Sequence, residues 1–413
     1  MTFDQLLKKI ESRADVPAKE VSFERVLRAS RGLDVEWPHA GRGVILIAGT
    51  NGKGTVAKTL ETLLLARGEN VGLFTSPHLM TTTERIRTSG RQLTEDEFIR
   101  AFSHVSDVVV EFGLSHFEIL TLMMIEVFFG GRIRPRVTRA VIEVGVGGKW
   151  DPTRLVPHDT TVITRLGLDH QSLLGNTIQE IAEQKFGAID EGNLVVHAPL
   201  PEGVLRGGRG RWIEATLYPY RVDPRGPRWI LETPWGDAPL AIPGARAAEN
   251  VSVALSVLAA QGEDLAPLLP SVSDAHWPGR MEKFEFDGRR VYLSGDHNRQ
   301  GAESLSEILT HFHYDDLYLV IGVAKNKSSA EILEVLSRLP ARGRVRIVLT
   351  KTPFRSSDLE AYGEWLSRAE IAVEDPVRAL HFAIDRAKTS DLILVTGSLY
   401  LVGDLRRYIT TRK

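Results

Sequence analysis

Residues 43–68, GVILIAGTNGKGTVAKTLETLLLARG, decide the fold. The apolar run Val44–Ala48 predicts a buried strand, and the amphipathic pattern that begins at about Lys53 predicts a helix. The turn between them is rich in glycine, which lets the backbone approach phosphate oxygens while the first amides of the helix point at them. These glycines are Gly49, Gly52 and Gly54. A strand, loop and helix of this kind are typical of a nucleotide phosphate site.

Two side chains of this turn suit the same chemistry. Lys53 would neutralise the charge of the β- and γ-phosphates, and the hydroxyl of Thr55 would ligate Mg²⁺. The spacing departs from G-x-x-x-x-G-K-[ST], because Gly54 separates the lysine from the hydroxyl. A glycine-rich turn without a ligand remains the alternative at this point.

Length and composition narrow the class of protein. A chain of 413 residues predicts two domains, and the absence of cysteine excludes disulfides, a cysteine nucleophile and a thiolate metal site. A formal net charge of -2 and dispersed basic residues favour neither nucleic acid nor an anionic membrane as a partner. The first residues show no signal-peptide pattern, and the most apolar helix, from Ile119, is too short to span a bilayer. We therefore expect a soluble cytoplasmic protein.

Strand-like runs alternate with helical periods, which predicts an α/β architecture of parallel sheets covered by helices. The predicted strands are Val44–Ala48, Val71–Thr75, Ala140–Val144, Thr161–Leu166, Leu194–His197, Leu317–Ile321, Arg346–Leu349 and Leu392–Val395. The predicted helices include Thr94–Phe112, Thr177–Phe186, Ala248–Ala260 and Glu331–Leu339. Residues 201–243 look like β-hairpins, and Asp287-Gly288 predicts a hairpin turn. A boundary near Pro270 gives two domains, 1–270 and 271–413.

Polar side chains follow two of these strands. Glu143 ends a buried strand and His170 comes just after the next, where the ligand crevice of an open α/β sheet lies. Each alone could be structural, but together with Thr55 they predict a metal-phosphate site. Lys185 lies on a helix whose Ile181 and Ala182 face inward. An ammonium cannot bind a cation, so Lys185 is either a solvated lysine or a group that is modified for function.

Several motifs now resemble one known family. AGTNGKGT, FTSPHL followed by ERI, FEILT, EVGVGG, LGLDHQSLLG, WPGRME, DHN and VTGSLYLVGDLR occur in the order found in folylpolyglutamate synthase/dihydrofolate synthase. That family belongs to the Mur ligase superfamily, and the resemblance covers about residues 40–406. It implies a P-loop ATPase domain of the Mur ligase type followed by a smaller Rossmann-like domain. It also implies a monomeric enzyme.

The resemblance implies a reaction and its reactants. ATP would phosphorylate a carboxylate of dihydropteroate or a folate, and the amine of L-glutamate would displace the phosphate to form an amide. ATP and two Mg²⁺ ions are the implied cofactors.

Roles carry over where residues match. The phosphate loop, Gly49, Thr50, Asn51, Gly52, Lys53, Gly54 and Thr55, would bind ATP. The metal ligands would be Thr55, Ser76, Glu143 and His170. Lys185 aligns with a lysine that is often carbamylated, and Asn250 would hydrogen-bond adenine. Arg280, Asp296 and His297 of the second domain would contact the nucleotide. Lys53, His170, Lys185 and His297 are the expected catalytic residues. Lys327 aligns with the family segment G-x-x-x-D-K-D.

The chain departs from the family pattern in several places. Ser294-Gly295-Asp296-His297-Asn298-Arg299 stands where the family has D-G-A-H-N-P, so an aspartate has moved from the first position to the third. GGKWDPTR, residues 147–154, replaces G-G-R-L-D-A-T-N. The segment before Asn250 lacks the usual His-Gln pair, and the L-G-L segment before the phosphate loop is not recognisable. The ATP chemistry is better preserved than folate recognition.

Three hypotheses follow. The first is the folate ligase, and the second is a Mur-type ligase that joins another carboxylate to another amine. The third, from another class, is a non-catalytic ATP-binding protein with a regulatory or scaffold role. The joint presence of the catalytic and metal-binding residues argues against the third, because binding alone needs fewer of them.

Overall fold

The computed structural model describes residues 1–13, 20–38, 43–223, 226–325, 329–339, 341–354, 356 and 358–412. Its contacts divide the chain into two compact units. The first consists of Met1–Pro219, Glu232–Ala238 and Ala248–Ala275, and the second of Tyr220–Leu231, Pro239–Ala247 and His276–Lys413. The predicted domain boundary at 270/271 stays a prediction; the last change between units falls between Ala275 and His276.

The first unit contains an eight-stranded sheet with the strand order β4-β3-β2-β5-β1-β6-β7-β8. The strands are β1 Val44–Ala48, β2 Val71–Phe74, β3 Ile86–Thr88, β4 Arg91–Gln92, β5 Arg139–Glu143, β6 Thr160–Ile163, β7 Leu194–His197 and β8 Arg211–Glu214. The central strand β1 is parallel to β5 and to β6, and all five of its residues are buried. Parallel strands need both faces covered, which explains their continuous apolar sequence.

Eight helices accompany this sheet in the described part of the chain. They are α1 Phe3–Glu11, α2 Glu20–Ser30, α3 Lys53–Ala66, α4 Glu95–Phe112, α5 His116–Ile125, α6 Gln171–Leu174, α7 Ile178–Phe186 and α8 Ala245–Ala260. The predicted helix starts at Thr94 and Thr177 are N-caps, because each threonine side chain accepts a hydrogen bond from an amide in the first turn.

Two local predictions in this unit are wrong. Within 201–243, residues Arg211–Glu214 form no hairpin; β8 pairs in parallel with β7 and extends the main sheet. The strand predicted to end at Leu166 ends at Ile163. Three further strands of this range, β9 Tyr220–Asp223, β10 Arg228–Thr233 and β11 Gly236–Pro239, form a separate sheet, in which β9 and β10 pair antiparallel as expected for a hairpin. Turn residues mark hairpins well, but they do not tell which strand an edge segment joins.

The second unit contains a six-stranded sheet with the order β12-β13-β17-β14-β15-β16. Its strands are β12 Glu282–Phe286, β13 Arg289–Leu293, β14 Leu317–Ile321, β15 Val345–Thr350, β16 Ile371–Val373 and β17 Leu392–Thr396. Its helices are α9 Arg299–Leu309, α10 Ser329–Leu336, α11 Trp365–Arg368, α12 Pro376–Arg386 and α13 Leu399–Thr410. Positive φ angles at Asp287 and Gly288 confirm the predicted turn between β12 and β13.

The most apolar helix holds a buried carboxylate. After α5 the chain continues as a π-helical turn, Glu126–Gly130, and the fully buried Glu126 accepts hydrogen bonds from Arg132 and contacts His104 at 2.8 Å. These partners offset the cost of burying the charge. No helix in the described ranges combines the length and the hydropathy that crossing a membrane requires.

A buried histidine at the end of β7 makes stability depend on pH. The Nδ1 of His197 lies 2.8 Å from the Ala198 carbonyl oxygen and must donate to it, while the buried Nε2 has no hydrogen-bond partner among the described residues. Burial lowers the pKa of His197, with a smaller contribution from Arg206 in the same direction. The unfolded chain therefore takes up this proton first, and stability falls as the pH drops below the ordinary histidine value of about 6.5.

We expect His197→Gln to reduce this loss, because the amide keeps a donor for Ala198 and does not titrate. Between pH 7.5 and 5.5 the free energy of unfolding of the original protein should fall more steeply than that of the variant, by up to about 1.4 kcal/mol per pH unit. Urea unfolding at a series of pH values measures the free energy of unfolding of both proteins. Parallel pH profiles for the two proteins would show that His197 does not carry the effect.

Candidate active site

The turn between β1 and α3 has the geometry of a phosphate loop. Gly49 and Gly52 have φ angles of 147° and 92°. A Cβ atom at Gly49 would lie 1.9 Å from the Thr164 hydroxyl oxygen, and one at Gly52 would lie 2.1 Å from Oδ1 of Asn250. The loop can therefore follow this path only with glycine at both positions. The first amides of α3 have no acceptor within the helix and are available to an anion.

Two lysines converge on one carbonyl oxygen of this loop. Nζ of Lys53 lies 3.2 Å from the Gly49 oxygen, and Nζ of Lys185, which reaches it from α7, lies 2.9 Å away. Burial, together with a smaller contribution from the charge of Lys53, lowers the pKa of Lys185 to about 7. Close to neutral pH a large fraction of Lys185 is therefore an uncharged amine, the form that acts as a nucleophile.

The predicted metal ligands Ser76 and Glu143 lie together. The buried Glu143 ends β5, and its Oε2 accepts a hydrogen bond of 3.1 Å from the amide of Ser76, which follows β2. The neighbouring strands β2 and β5 are parallel, so their carboxyl ends meet at one edge of the sheet. Thr55 lies half-buried in the first turn of α3.

His170 directly precedes α6 and is exposed. It lies further from the end of β6 than predicted, because that strand stops at Ile163. Its Nε2 lies 3.7 Å from a carboxylate oxygen of Asp169. The same segment is tied to the phosphate loop, since the Thr50 hydroxyl donates to the Gly167 carbonyl at 3.0 Å and accepts from the Gly167 amide at 3.1 Å.

The chemistry of these side chains suits a hydrated magnesium ion. Within the described ranges no three His, Cys, Asp or Glu side chains form a group that could hold a metal by themselves. Mg²⁺ is commonly bound by one or two carboxylates, with waters and substrate phosphates completing its shell. The buried Glu143, with hydroxyls of Ser76 and Thr55, fits that pattern. The role of His170 as a metal ligand stays a prediction.

Asn250 lies at the phosphate loop. Its side chain comes from α8 and packs against the backbone of Gly52. The predicted hydrogen bond to adenine stays a prediction.

Glu84 has a role that was not predicted from the sequence. Its carboxylate accepts hydrogen bonds from the amides of Leu79, Met80 and Thr81, at 2.8, 2.9 and 2.9 Å. It therefore holds the loop that follows Ser76 in place. The signal was present in the sequence, because Thr81-Thr82-Thr83-Glu84 has the spacing of a capping box.

Segment 147–154, which departs from the family pattern, has partners within the first unit. Trp150 packs against Phe23 of α2, with ring centroids 6.1 Å apart. Arg154 stacks over the same Phe23 ring and hydrogen-bonds Asp190 at 3.0 Å. Asp151 is fully buried, which raises its pKa, and it caps the short helix that follows. The unusual residues thus connect α2 to the loop after β5.

The second unit carries the remaining predicted residues. Arg280 lies in a turn before β12, and Asp296 and His297 lie in the loop between β13 and α9. Nδ1 of His297 lies 3.0 Å from the Gly295 carbonyl oxygen. Their contacts with a nucleotide stay a prediction. Lys327 lies outside the described residues.

Comparisons with known proteins find relatives along most of the chain. Residues 279–399 match the family model described as Mur ligase, glutamate ligase domain. The chain is 30% identical over 390 residues to the dihydrofolate synthase/folylpolyglutamate synthase of Bacillus subtilis, covering 87% of this chain and 89% of that protein. It is also 29% identical to a Haloferax volcanii protein named "Probable bifunctional folylpolyglutamate synthase/dihydropteroate synthase". That match covers 89% of this chain but only 46% of the length of the Haloferax protein.

Solved structures give the same result. The chain is similar to Escherichia coli FolC in complex with DHPP and ADP, with a TM-score of 0.83 at 25% identity, covering 100% of this chain and 98% of that one. It is also similar to Mycobacterium tuberculosis folylpolyglutamate synthase complexed with ADP, with a TM-score of 0.84 at 25% identity and 98% of both chains covered.

Proposed function

Because this chain belongs to the dihydrofolate synthase/folylpolyglutamate synthase family, we propose that it is an ATP-dependent ligase that adds L-glutamate to dihydropteroate, to a tetrahydrofolate, or to both. The observation that carries the proposal is the convergence of Lys53 and Lys185 on the Gly49 carbonyl of a phosphate loop. A loop that only bound a nucleotide would gain nothing from a second, buried lysine, because burial of its charge is costly.

The proposed reaction has two steps. A carboxylate oxygen of the acceptor attacks the γ-phosphorus of ATP, ADP leaves, and an acyl phosphate forms. The amine of L-glutamate then attacks the acyl carbon, phosphate leaves with the bonding electron pair, and the nitrogen loses a proton to give the amide. Catalysis rests on positioning and on stabilising the charge of the transferred phosphoryl group.

The residues of the first unit divide this work. Lys53 and the first amides of α3 would hold the β- and γ-phosphates, because both present positive charge to the loop. Glu143, Ser76, Thr55 and His170 would hold magnesium, and two ions are proposed. When bound, magnesium neutralises the phosphate charge. Glu143 is kept in position by its hydrogen bond from Ser76.

Lys185 is the proposed site of carbamylation. Its uncharged amine would add to the carbon of CO₂ and release one proton, which converts the neutral amine into a buried anion. The pKa of about 7 supports this proposal, because the reactive amine is available close to neutral pH. An anion there would be attracted to Lys53 and to a bound magnesium, which offsets the cost of its burial.

Removing CO₂ should therefore lower activity reversibly. Protein freed of CO₂ should lose most of its turnover and regain it when bicarbonate is added at constant pH. The turnover of Lys185→Ala should be lower by roughly 100-fold or more, and added acetate or propionate should restore part of it. Turnover that is indifferent to bicarbonate, or an active Lys185→Ala variant, would contradict the carbamate.

The segment 147–154 favours a second candidate, a ligase of the same chemistry with another carboxylate acceptor. Trp150 and Arg154 hold α2 through Phe23, whereas the family pattern has smaller or uncharged residues at these positions. A non-catalytic ATP-binding protein is disfavoured by the buried Lys185.

Analysis of the products separates these candidates. We expect mass spectrometry to show an acceptor heavier by one glutamyl residue after incubation with MgATP and L-glutamate. Dihydropteroate and tetrahydrofolate should be tested separately, with ATP omitted as the control. If neither acceptor gains a glutamyl residue although ATP binds, the folate proposal is overturned. We also propose that the protein is cytoplasmic and monomeric. Size-exclusion chromatography with light scattering tests the oligomeric state.

A further inference from the structure

Ser294 is a buried residue that joins two loops of the second unit. Its side chain is at the end of β13 and the residue is only 1% exposed. The hydroxyl donates a hydrogen bond of 2.7 Å to Oδ2 of Asp296 and accepts one of 3.3 Å from the amide of Met281. A single hydroxyl thus satisfies a carboxylate on one side and a backbone donor on the other, which a serine can do because it has both a proton and lone pairs.

The carboxylate of Asp296 is fixed from its other side as well. A Cβ atom at Gly301 would lie 2.7 Å from Oδ1 of Asp296, so the first turn of α9 leaves room for the carboxylate only because it carries glycine. The carbonyl oxygen of Asp296 accepts hydrogen bonds from the amide of Gly397 and the hydroxyl of Thr396, at 2.9 and 3.2 Å. The negative charge at the start of α9 is favourable, since the helix dipole is positive there.

The turn that carries Arg280 is held by the same contacts. The amide of Gly295 donates to the carbonyl of Gly279 at 2.8 Å. Met281, the residue after Arg280, has a φ of 48°, a left-handed conformation that costs a residue with a side chain about 1 kcal/mol or more. The hydrogen bond from the Met281 amide to Ser294 helps to maintain that conformation. Arg280 therefore depends on Ser294 for its backbone path.

We infer that Ser294 and Asp296 act as one coupled pair of positioning residues, which keeps the turn of Arg280 in register with the loop of His297. The inference rests on the proposed function, and it explains a departure from the family. The carboxylate that the family has at the first position of the motif stands here at the third, and a serine is needed at the first because a second carboxylate there would lie within hydrogen-bond distance of Asp296. Two carboxylates at that distance repel one another.

The pair can be tested by moving the carboxylate back. Ser294→Asp alone should place two carboxylates together, and Asp296→Ala alone should leave none. Each should lower kcat/KM for ATP by roughly tenfold or more. The double variant, Ser294→Asp with Asp296→Ala, restores one carboxylate and should recover to within about threefold of the original protein. Glu303→Ala removes an exposed carboxylate of α9 that is paired with Arg299. It is the matched control and should leave kcat/KM for ATP unchanged.

Recovery in the double variant would show that the two residues act together, because two independent defects would add. Two harmless single variants, or a double variant as impaired as the two losses combined, would overturn the inference. Thermal unfolding of the same four proteins gives a second measure: the Tm losses of the single variants should be non-additive, and additive losses would overturn it. If the original protein ligates nothing, the proposed function fails, and the Tm cycle still decides whether the two residues are coupled.

Discussion

Lys53→Ala should abolish ATP-dependent turnover while the protein stays folded. Nζ of Lys53 lies over the carbonyl oxygens of Gly49 and Thr50, where the β- and γ-phosphates would lie. Losing that charge removes stabilisation that grows as charge develops on the transferred group, so we expect kcat/KM to fall by roughly 100- to 1,000-fold. The free energy of unfolding should change by about 1 kcal/mol or less, because the lysine makes only weak hydrogen bonds to the loop.

Coupled assays of ADP formation and urea unfolding measure the two effects. Lys8→Ala is a suitable control, since Lys8 is an exposed lysine of α1 and its loss should affect neither turnover nor stability. Turnover of Lys53→Ala that equals that of the control would remove the phosphate-loop assignment.

Gly52→Ala should nearly eliminate ATP binding. The new methyl group would lie 2.1 Å from Oδ1 of Asn250, so the Asn250 side chain, the loop or α8 must move. A shift of about 1 Å in groups that hold a reacting substrate can cost roughly 100-fold. We therefore expect the Kd for ATP, measured by isothermal titration calorimetry, to rise by about 100-fold or more.

Gly68→Ala is a closely matched control. Gly68 has a φ of 84°, close to the 92° of Gly52, but no atom lies within 4 Å of its added Cβ. Both variants carry the same backbone strain, of about 1 kcal/mol, and only Gly52→Ala carries the clash. Equal ATP affinities for the two variants would show that the contact with Asn250 does not shape the loop.

The sequence predicted the parallel framework well because central strands have a strong local pattern. Val44–Ala48, Leu194–His197 and Leu317–Ile321 are strands with the predicted bounds. The sequence left Lys185 as either a solvated lysine or a modified group; it is buried, four residues after Ile181 on the same helix face. Its bond to Gly49 could not be predicted, since the two residues are separated by 136 positions and meet only in the folded chain.

The predictions that were wrong or incomplete concern edges and loops. The short strands β3 and β4 pair antiparallel beside β2, and β8 joins the parallel sheet, although the sequence predicted neither. Short edge strands carry too few residues for a clear period. The hydrogen bond between Ser294 and Met281 could not be predicted either, because a single hydrogen bond between loops leaves no periodic signal in the sequence.

Release of phosphate from MgATP in the presence of L-glutamate, compared between dihydropteroate, tetrahydrofolate and no acceptor, tests the central claim most directly. We expect release that requires both glutamate and one of the two pterin acceptors, and little without an acceptor, because the γ-phosphoryl group then has no carboxylate to attack it. ATP that binds but releases no phosphate with either acceptor would contradict the assignment of this chain as a folate ligase.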